Sequence, residues 1–156
     1  MNSDTQWMQE ALAEAESAAD AGEVPVGAIV LFHGEIIGRG QNRVLRDLDP
    51  TAHAEIVAMR AAARHLSNYR LTGCEIYVTL EPCAMCAGAM IHARIGRLVY
   101  AAADPKAGAA GSVLEVVNHS LLNHRIEVTA GVMAEPCGEL LRQFFRERRT
   151  GISNQD

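Results

Sequence analysis

The run "CEIYVTL", then "EPCAMCAGAMIHARI", then "RLVYAA" restricts the fold more than any other part of the chain. The outer pieces are short and rich in β-branched and aromatic residues, as strands are. Between them, Pro82 stands where a helix opens, and a mostly apolar helical segment follows. A strand, a helix and a strand in succession favour a parallel pair with the helix packed on the sheet. The flanking sequence extends the pattern. Residues 5–21 read as an amphipathic helix that Gly22 ends and that Ser3 or Asp4 caps. "VPVGAIVLF" and "EIIGRG" flank His33-Gly34 and predict a hairpin. "NRVLRDLDPT" is a polar loop. "AHAEIVAMRAAARHL" has Ile56, Met59, Ala63 and Leu66 at helical spacing, with Asp49-Pro50-Thr51 offering cap residues before it. After the glycine-rich "DPKAGAAGS" come a late strand in "HRIEVTAGV" and a helix in "CGELLRQFFRERRTG". The predicted class is α/β, a sheet covered by helices and largely parallel after its first hairpin.

A length of 156 residues suits one domain, taken as 1–156 with an ordered core of about 5–150, and a hydrophobic content of 49% argues against disorder. No stretch approaches the roughly 18 apolar residues of a membrane span. The first residues lack the basic start and apolar run of a signal peptide, so the four cysteines are expected as reduced thiols in a cytoplasm. A formal net charge of −5 argues against an indiscriminate nucleic-acid coat protein while leaving room for a local basic patch.

Cys83 and Cys86, three apart on a helix, bring both sulfurs to one face. Such a pair serves as buried core cysteines, as a redox couple at a strand-to-helix junction, or as metal ligands. A closed four-sulfur site would also need Cys74 and Cys137, which are single and distant in sequence. His53-x-Glu55 is weak alone. Followed by Pro82-Cys83-x-x-Cys86, it completes the zinc deaminase signature H-x-E…P-C-x-x-C. The inventory has a chemical reason. His53, Cys83 and Cys86 supply three ligands to a tetrahedral ion and leave one position to water. The positive ends of the two helix dipoles stabilise thiolate charge and preserve the acidity of the ion. Glu55 diverges from the ligands and becomes the proton shuttle. Read alone, it is an acid favouring the dipole of a first helical turn. Asn42, in the loop after the hairpin, reads from the residues alone as a local turn former.

The chain resembles the bacterial tRNA-specific adenosine deaminases of the cytidine deaminase-like superfamily. The similar stretches are "EVPVGAIV", "DPTAHAEI", "NYRL", "YVTLEPCAMCAGAMIHARIGRLVY", "KAGAAGS", "NHR" and "FFRERR", together covering most of residues 23–149. The resemblance implies a three-layer α/β/α fold around a five-stranded mixed sheet, acting as a homodimer. It implies one zinc ion per subunit, held by His53, Cys83 and Cys86, with Glu55 shuttling protons. The implied reaction is hydrolysis of adenosine to inosine at the wobble position of the tRNA-Arg anticodon. It makes Asn42 a base contact, and Asp104, Lys106, Phe145 and Arg149 contacts to RNA. The same zinc chemistry would serve a deaminase of free cytosine, guanine or cytidine. A zinc module without catalysis would leave Glu55 without a role.

An unpaired anticodon loop lowers the cost of reaching a base. "RQFFRERR" sets Arg142, Arg146, Arg148 and Arg149 against Glu147 and adds two phenylalanines, one expected in the core and one exposed. Charge reversal at Arg148 and Arg149 is expected to weaken tRNA binding. It should also make the salt dependence shallower, the slope of log K against log salt falling by about 0.7–0.9 for each phosphate that is no longer neutralised, measured by anisotropy over a salt series.

Overall fold

The computed structural model describes residues 3–155, with side chains from 4 to 149; the expected domain limits at 1 and 156 lie outside them. The elements follow the order α1 (Ser3–Asp20), β1 (Gly27–Phe32), β2 (Glu35–Gln41), α2 (Ala54–Leu66), β3 (Cys74–Leu80), α3 (Ala84–Ala93), β4 (Arg97–Ala102), β5 (Glu127–Ala130) and α4 (Ala134–Gln155). The strands form one five-stranded sheet in the order β2-β1-β3-β4-β5. β1 runs antiparallel to β2 and to β3, while β3, β4 and β5 run parallel. This is the mixed sheet expected, with a late strand shorter than its apolar pattern.

Side-chain alternation divides the core into two layers. Ala28, Val30, Ile76, Val78, Leu98 and Tyr100 pack with Ala54, Ala58 and Met59 of α2 and Cys86 and Met90 of α3. Their chain neighbours Ile29, Leu31, Tyr77, Val99 and Ala101 pack on the other face with Met8 and Ala11 of α1 and Cys137 of α4. The inner strands are therefore apolar at consecutive positions because both of their faces are covered. The result is a three-layer α/β/α fold.

Two expectations about helices change. Asp4 lies inside α1 and does not cap it. Its carboxylate accepts hydrogen bonds from Tyr77 (2.7 Å) and from Arg97 (3.0 and 2.7 Å), which ties α1 to β3 and β4. The Ser3 side chain lies outside the described residues. α2 begins after His53, not at Asp49-Pro50-Thr51. Asp49 instead closes a turn by accepting the Thr51 N–H and hydroxyl at 2.8 and 2.7 Å.

The buried face of α2 is Ala54, Glu55, Ala58, Met59 and Ala62, whereas Ile56, Ala63 and Leu66 sit at its partly covered margin. The reason is close approach. A Cβ on Gly38 would lie 2.3 Å from the carbonyl oxygen of Ala58, and one on Gly40 would lie 2.2 Å from that of Ala54. Alanine on the helix and glycine on β2 let backbone meet backbone. Gly40→Ala is expected to push α2 off the sheet and to cost at least ~1–3 kcal/mol of stability, read as a lowered melting temperature.

Candidate metal centre and adjoining cavity

The C-terminal end of β3 runs through Glu81 and Pro82 into Cys83, the N-cap of α3, and His53 is the N-cap of α2. Both caps have extended backbones, and neither side chain caps its own helix. Their carbonyls accept the first helical bonds, from Val57 and Ala87, so the side chains are available for other partners. Two helix N-termini thus face one point. There His53 Nδ1 lies 3.6 Å from Cys83 Sγ and 3.5 Å from Cys86 Sγ.

Among the described residues, these three form the group able to hold a metal ion, with ligand atoms within 4.8 Å of one another. Zinc bonds of about 2.0–2.3 Å at tetrahedral angles place ligand atoms roughly 3.5 Å apart, so the donor set fits such an ion. Cys74 is buried on the α2/α3 face at the start of β3, and Cys137 is buried on the opposite face. Neither joins the group, which leaves no four-sulfur site among the described residues.

Proton affinities within the group depend on one another. Hydrogen bonds from Cys86 and His53 bring the Cys83 thiol down to about 3. The hydrogen bond to Cys83 and burial push the Cys86 thiol up. The Cys83 sulfur raises His53. Occupation by a dication would displace the shared protons. Glu55, in the first turn of α2 and 4% exposed, is pushed up to about 7 chiefly by burial.

A cavity of about 240 Å³ adjoins the centre, lined by His53, Glu55 and Cys83 with Asn42, Glu81 and Asp104 among its other walls. Asn42 fulfils its turn-forming role: its Oδ1 accepts the Val44 N–H at 3.2 Å. The residue lines the cavity at the same time. Asp104 likewise accepts the N–H groups of Lys106 and Ala107 at 3.0 and 3.2 Å while lining the same space.

Lys106, Phe145 and Arg149 come together outside, around a recess of about 470 Å³ shared with Arg142 and Arg146. Phe145 and Arg149 also border a groove of about 530 Å³ that reaches Asn42 and Val24, both of which line the inner cavity. Phe145 is 44% exposed, as expected of one phenylalanine. Phe144 does not enter the core; it is half-buried, edge-on to Phe145, with Arg148 over its ring. Arg148 also donates to the Gly22 carbonyl, and Arg142 and Arg146 pair with Glu139. The larger recess of about 730 Å³ between α1 and α4 contains none of the three candidate ligands.

Two buried acids carry no signal in the sequence pattern. Glu23 accepts the N–H groups of Leu45 and Arg46 and pairs with the Arg46 guanidinium at 3.1 Å, which shapes the loop bearing Asn42. Glu81 does the same for the glycine-rich loop, accepting the N–H groups of Asp104, Ala110 and Ser112. Their place within or beside the stretches that resemble the deaminases is the one hint, since the partners lie far along the chain.

A family model of MafB19-like deaminases matches residues 2–149. The tRNA-specific adenosine deaminase of Haemophilus influenzae is 49% identical over 147 residues, covering 94% of this chain and 85% of that protein. A solved structure from studies of A-to-I editing by tRNA:A34 deaminases at the wobble position superimposes with a TM-score of 0.85 at 44% identity, covering 88% of this chain and 99% of that one. The guanine deaminase of Nitrosomonas europaea shares the fold at a TM-score of 0.79 and 28% identity, covering 90% and 83%. With a family model spanning nearly its whole length and a relative sharing about half its residues, the chain belongs to the MafB19-like deaminases, in the branch of the tRNA-specific adenosine deaminases.

Proposed function

We propose that the protein converts adenosine to inosine at the wobble position of the tRNA-Arg anticodon, with one zinc ion per subunit held by His53, Cys83 and Cys86. The observation that carries this reading is the meeting of those three donors beside a cavity that His53, Cys83 and buried Glu55 line. When bound, zinc supplies Lewis acidity that lets water ionise near neutral pH. Glu55 takes the proton of the attacking water and delivers it to the ring nitrogen next to the reacting carbon. It then assists protonation of the departing amine. Water and adenosine give inosine and ammonia, one C–O bond forming as one C–N bond breaks. Asn42 offers its amide to the base and Asp104 borders it.

A cavity of about 240 Å³ is smaller than the usual ~300–1,000 Å³ of drug-sized sites, which suits one base inserted from an unpaired loop. Lys106 and Arg149 supply positive charge for phosphates, and Phe145 supplies a stacking face. Those outer features favour RNA over the free guanine taken by the Nitrosomonas relative. We read the chain as one deaminase domain working in the cytoplasm. Among the described residues, no helix is long and apolar enough to cross a membrane.

We also infer a homodimer. α3 is mostly apolar yet leaves Ala84 and Met85 exposed, and the loop between β4 and β5 exposes Val113, Leu114, Leu121 and Leu122. Sedimentation equilibrium is expected to show a dimer that dissociates on dilution; a monomer at every concentration would overturn this.

Sequencing of tRNA-Arg before and after treatment is expected to show inosine at the wobble position, with free adenosine and guanine turned over more slowly. Glu55→Ala should keep about one zinc per chain and lose about 10²- to 10⁴-fold in rate. Faster turnover of free bases would remove the tRNA assignment. Full activity in Glu55→Ala would remove the shuttle.

A further inference from the structure

The buried carboxylates among the described residues are Glu23, Glu55 and Glu81. Glu81 stands immediately after β3 and two residues before Cys83, and it is 2% exposed. Its Oε1 accepts the Asp104 N–H at 3.0 Å and the Ser112 hydroxyl; its Oε2 accepts the N–H groups of Ala110 and Ser112 at 2.9 and 3.1 Å. A carboxylate has about four acceptor sites, so these donors leave none for a substrate. The adjacent Pro82 carbonyl accepts the Ala109 N–H at 2.8 Å. The loop over residues 104–112 is therefore docked on the two residues that precede the metal-ligating cysteine. Asp104 and Ala107 of that loop line the cavity.

Gly108 shows how tightly the loop is seated. A Cβ there would lie 2.4 Å from Glu81 Cδ and 2.5 Å from each carboxylate oxygen, and its φ is not positive. Space, not backbone conformation, excludes a side chain. The carboxylate cannot swing aside without releasing its donors.

We propose that Glu81 is a positioning residue, whose carboxylate pins the 104–112 loop to the end of β3 and so fixes the cavity wall relative to the metal ligands. This rests on the deaminase reading above. Glutamine at 81 would turn an NH₂ group toward backbone N–H groups, donor against donor, while keeping the volume of the side chain. Alanine at 81 would open the space that a Cβ on residue 108 needs.

The test uses the zinc-loaded full chain as wild type, E81Q, E81A, G108A and the E81A/G108A pair. Metal content and thermal melts are recorded alongside two readouts: hydrogen exchange across 104–112 and kcat/KM on an anticodon stem-loop. E81Q is expected to keep its zinc and a cooperative melt while the loop amides exchange about tenfold faster. Its kcat/KM should fall about 10²-fold, the loss that misplacement of a site by about 1 Å can bring. G108A should fall comparably. The double variant should be no worse than E81A within about twofold, because the clash has gone. Unchanged exchange in E81Q, or losses that multiply in the pair, would overturn the proposal. If wild type fails to deaminate RNA, the functional reading falls and the exchange data alone judge Glu81. If E81A does not fold, Ser112→Ala takes its place in the exchange measurement, with a smaller acceleration expected and none counting against the proposal.

Discussion

The meeting of two helix N-termini at one end of the sheet is the constraint from which the site follows. α2 and α3 lie on the same face of the sheet, and each opens on a residue whose side chain is not used for capping. A helix start carries unpaired N–H groups and partial positive charge, so two of them facing each other stabilise thiolate. The centre lies at the carboxyl end of β3, where the parallel part of the sheet delivers its loops. Had α2 stood further from β2, His53 would not reach the sulfurs. The alanine and glycine contact between them therefore bears on chemistry as well as on packing.

Around this point the protein uses carboxylates in two opposite ways. Glu55 is buried close to the ligands, and burial holds its proton affinity high. For Glu81 burial also works to raise proton affinity, but hydrogen bonds from Ser112, Asp104 and Ala110 overcome it and leave the group below its ordinary value. The difference is the supply of donors. An acid given a full set of N–H groups stays ionised and becomes a fixed anchor, whereas an acid with a weaker supply becomes a group that can exchange protons. Sequence position alone does not separate the two, since both lie within two residues of a candidate metal ligand.

That difference explains which residues are legible in the sequence. His53, Cys83 and Cys86 can be read as a group because a metal site would demand particular residue types at spacings that helix geometry fixes, and Glu55 can be read because the same signature carries it. The strands can be read because burial on both faces leaves continuous apolar runs. Glu23 and Glu81 cannot, because their partners lie 22 to 31 residues away along the chain. The pattern sets the start of α2 too early because Asp49-Pro50-Thr51 has the composition of a cap and spends it on a turn. It also misplaces the covered face of α2, because large residues are expected to point inward. A backbone approach to Gly38 and Gly40 favours the small ones. Phe144 has the apolar character of a core residue, but its ring has an arginine for a neighbour instead.

A formal net charge of −5 is awkward for a protein proposed to hold RNA until the acids are placed. Asp4 and Glu23 spend their charge on arginine partners, and Glu81 is enclosed by internal hydrogen-bond donors. Glu139 is paired with Arg142 and Arg146. Electrostatic attraction to a polyanion depends on local field, screened over about 8–10 Å at physiological salt, and not on the total. Lys106 and Arg149 meet at a recess whose other lining residues are Phe145, Arg142 and Arg146. Positive charge is thus concentrated at that recess, although Arg142 and Arg146 already answer to acids on the same helix. Arg149 has no ion-pair partner among the described residues. At that recess it and Lys106 are the cations without an ion pair among the described residues, whereas Arg148, outside it, is engaged by Phe144 and the Gly22 carbonyl.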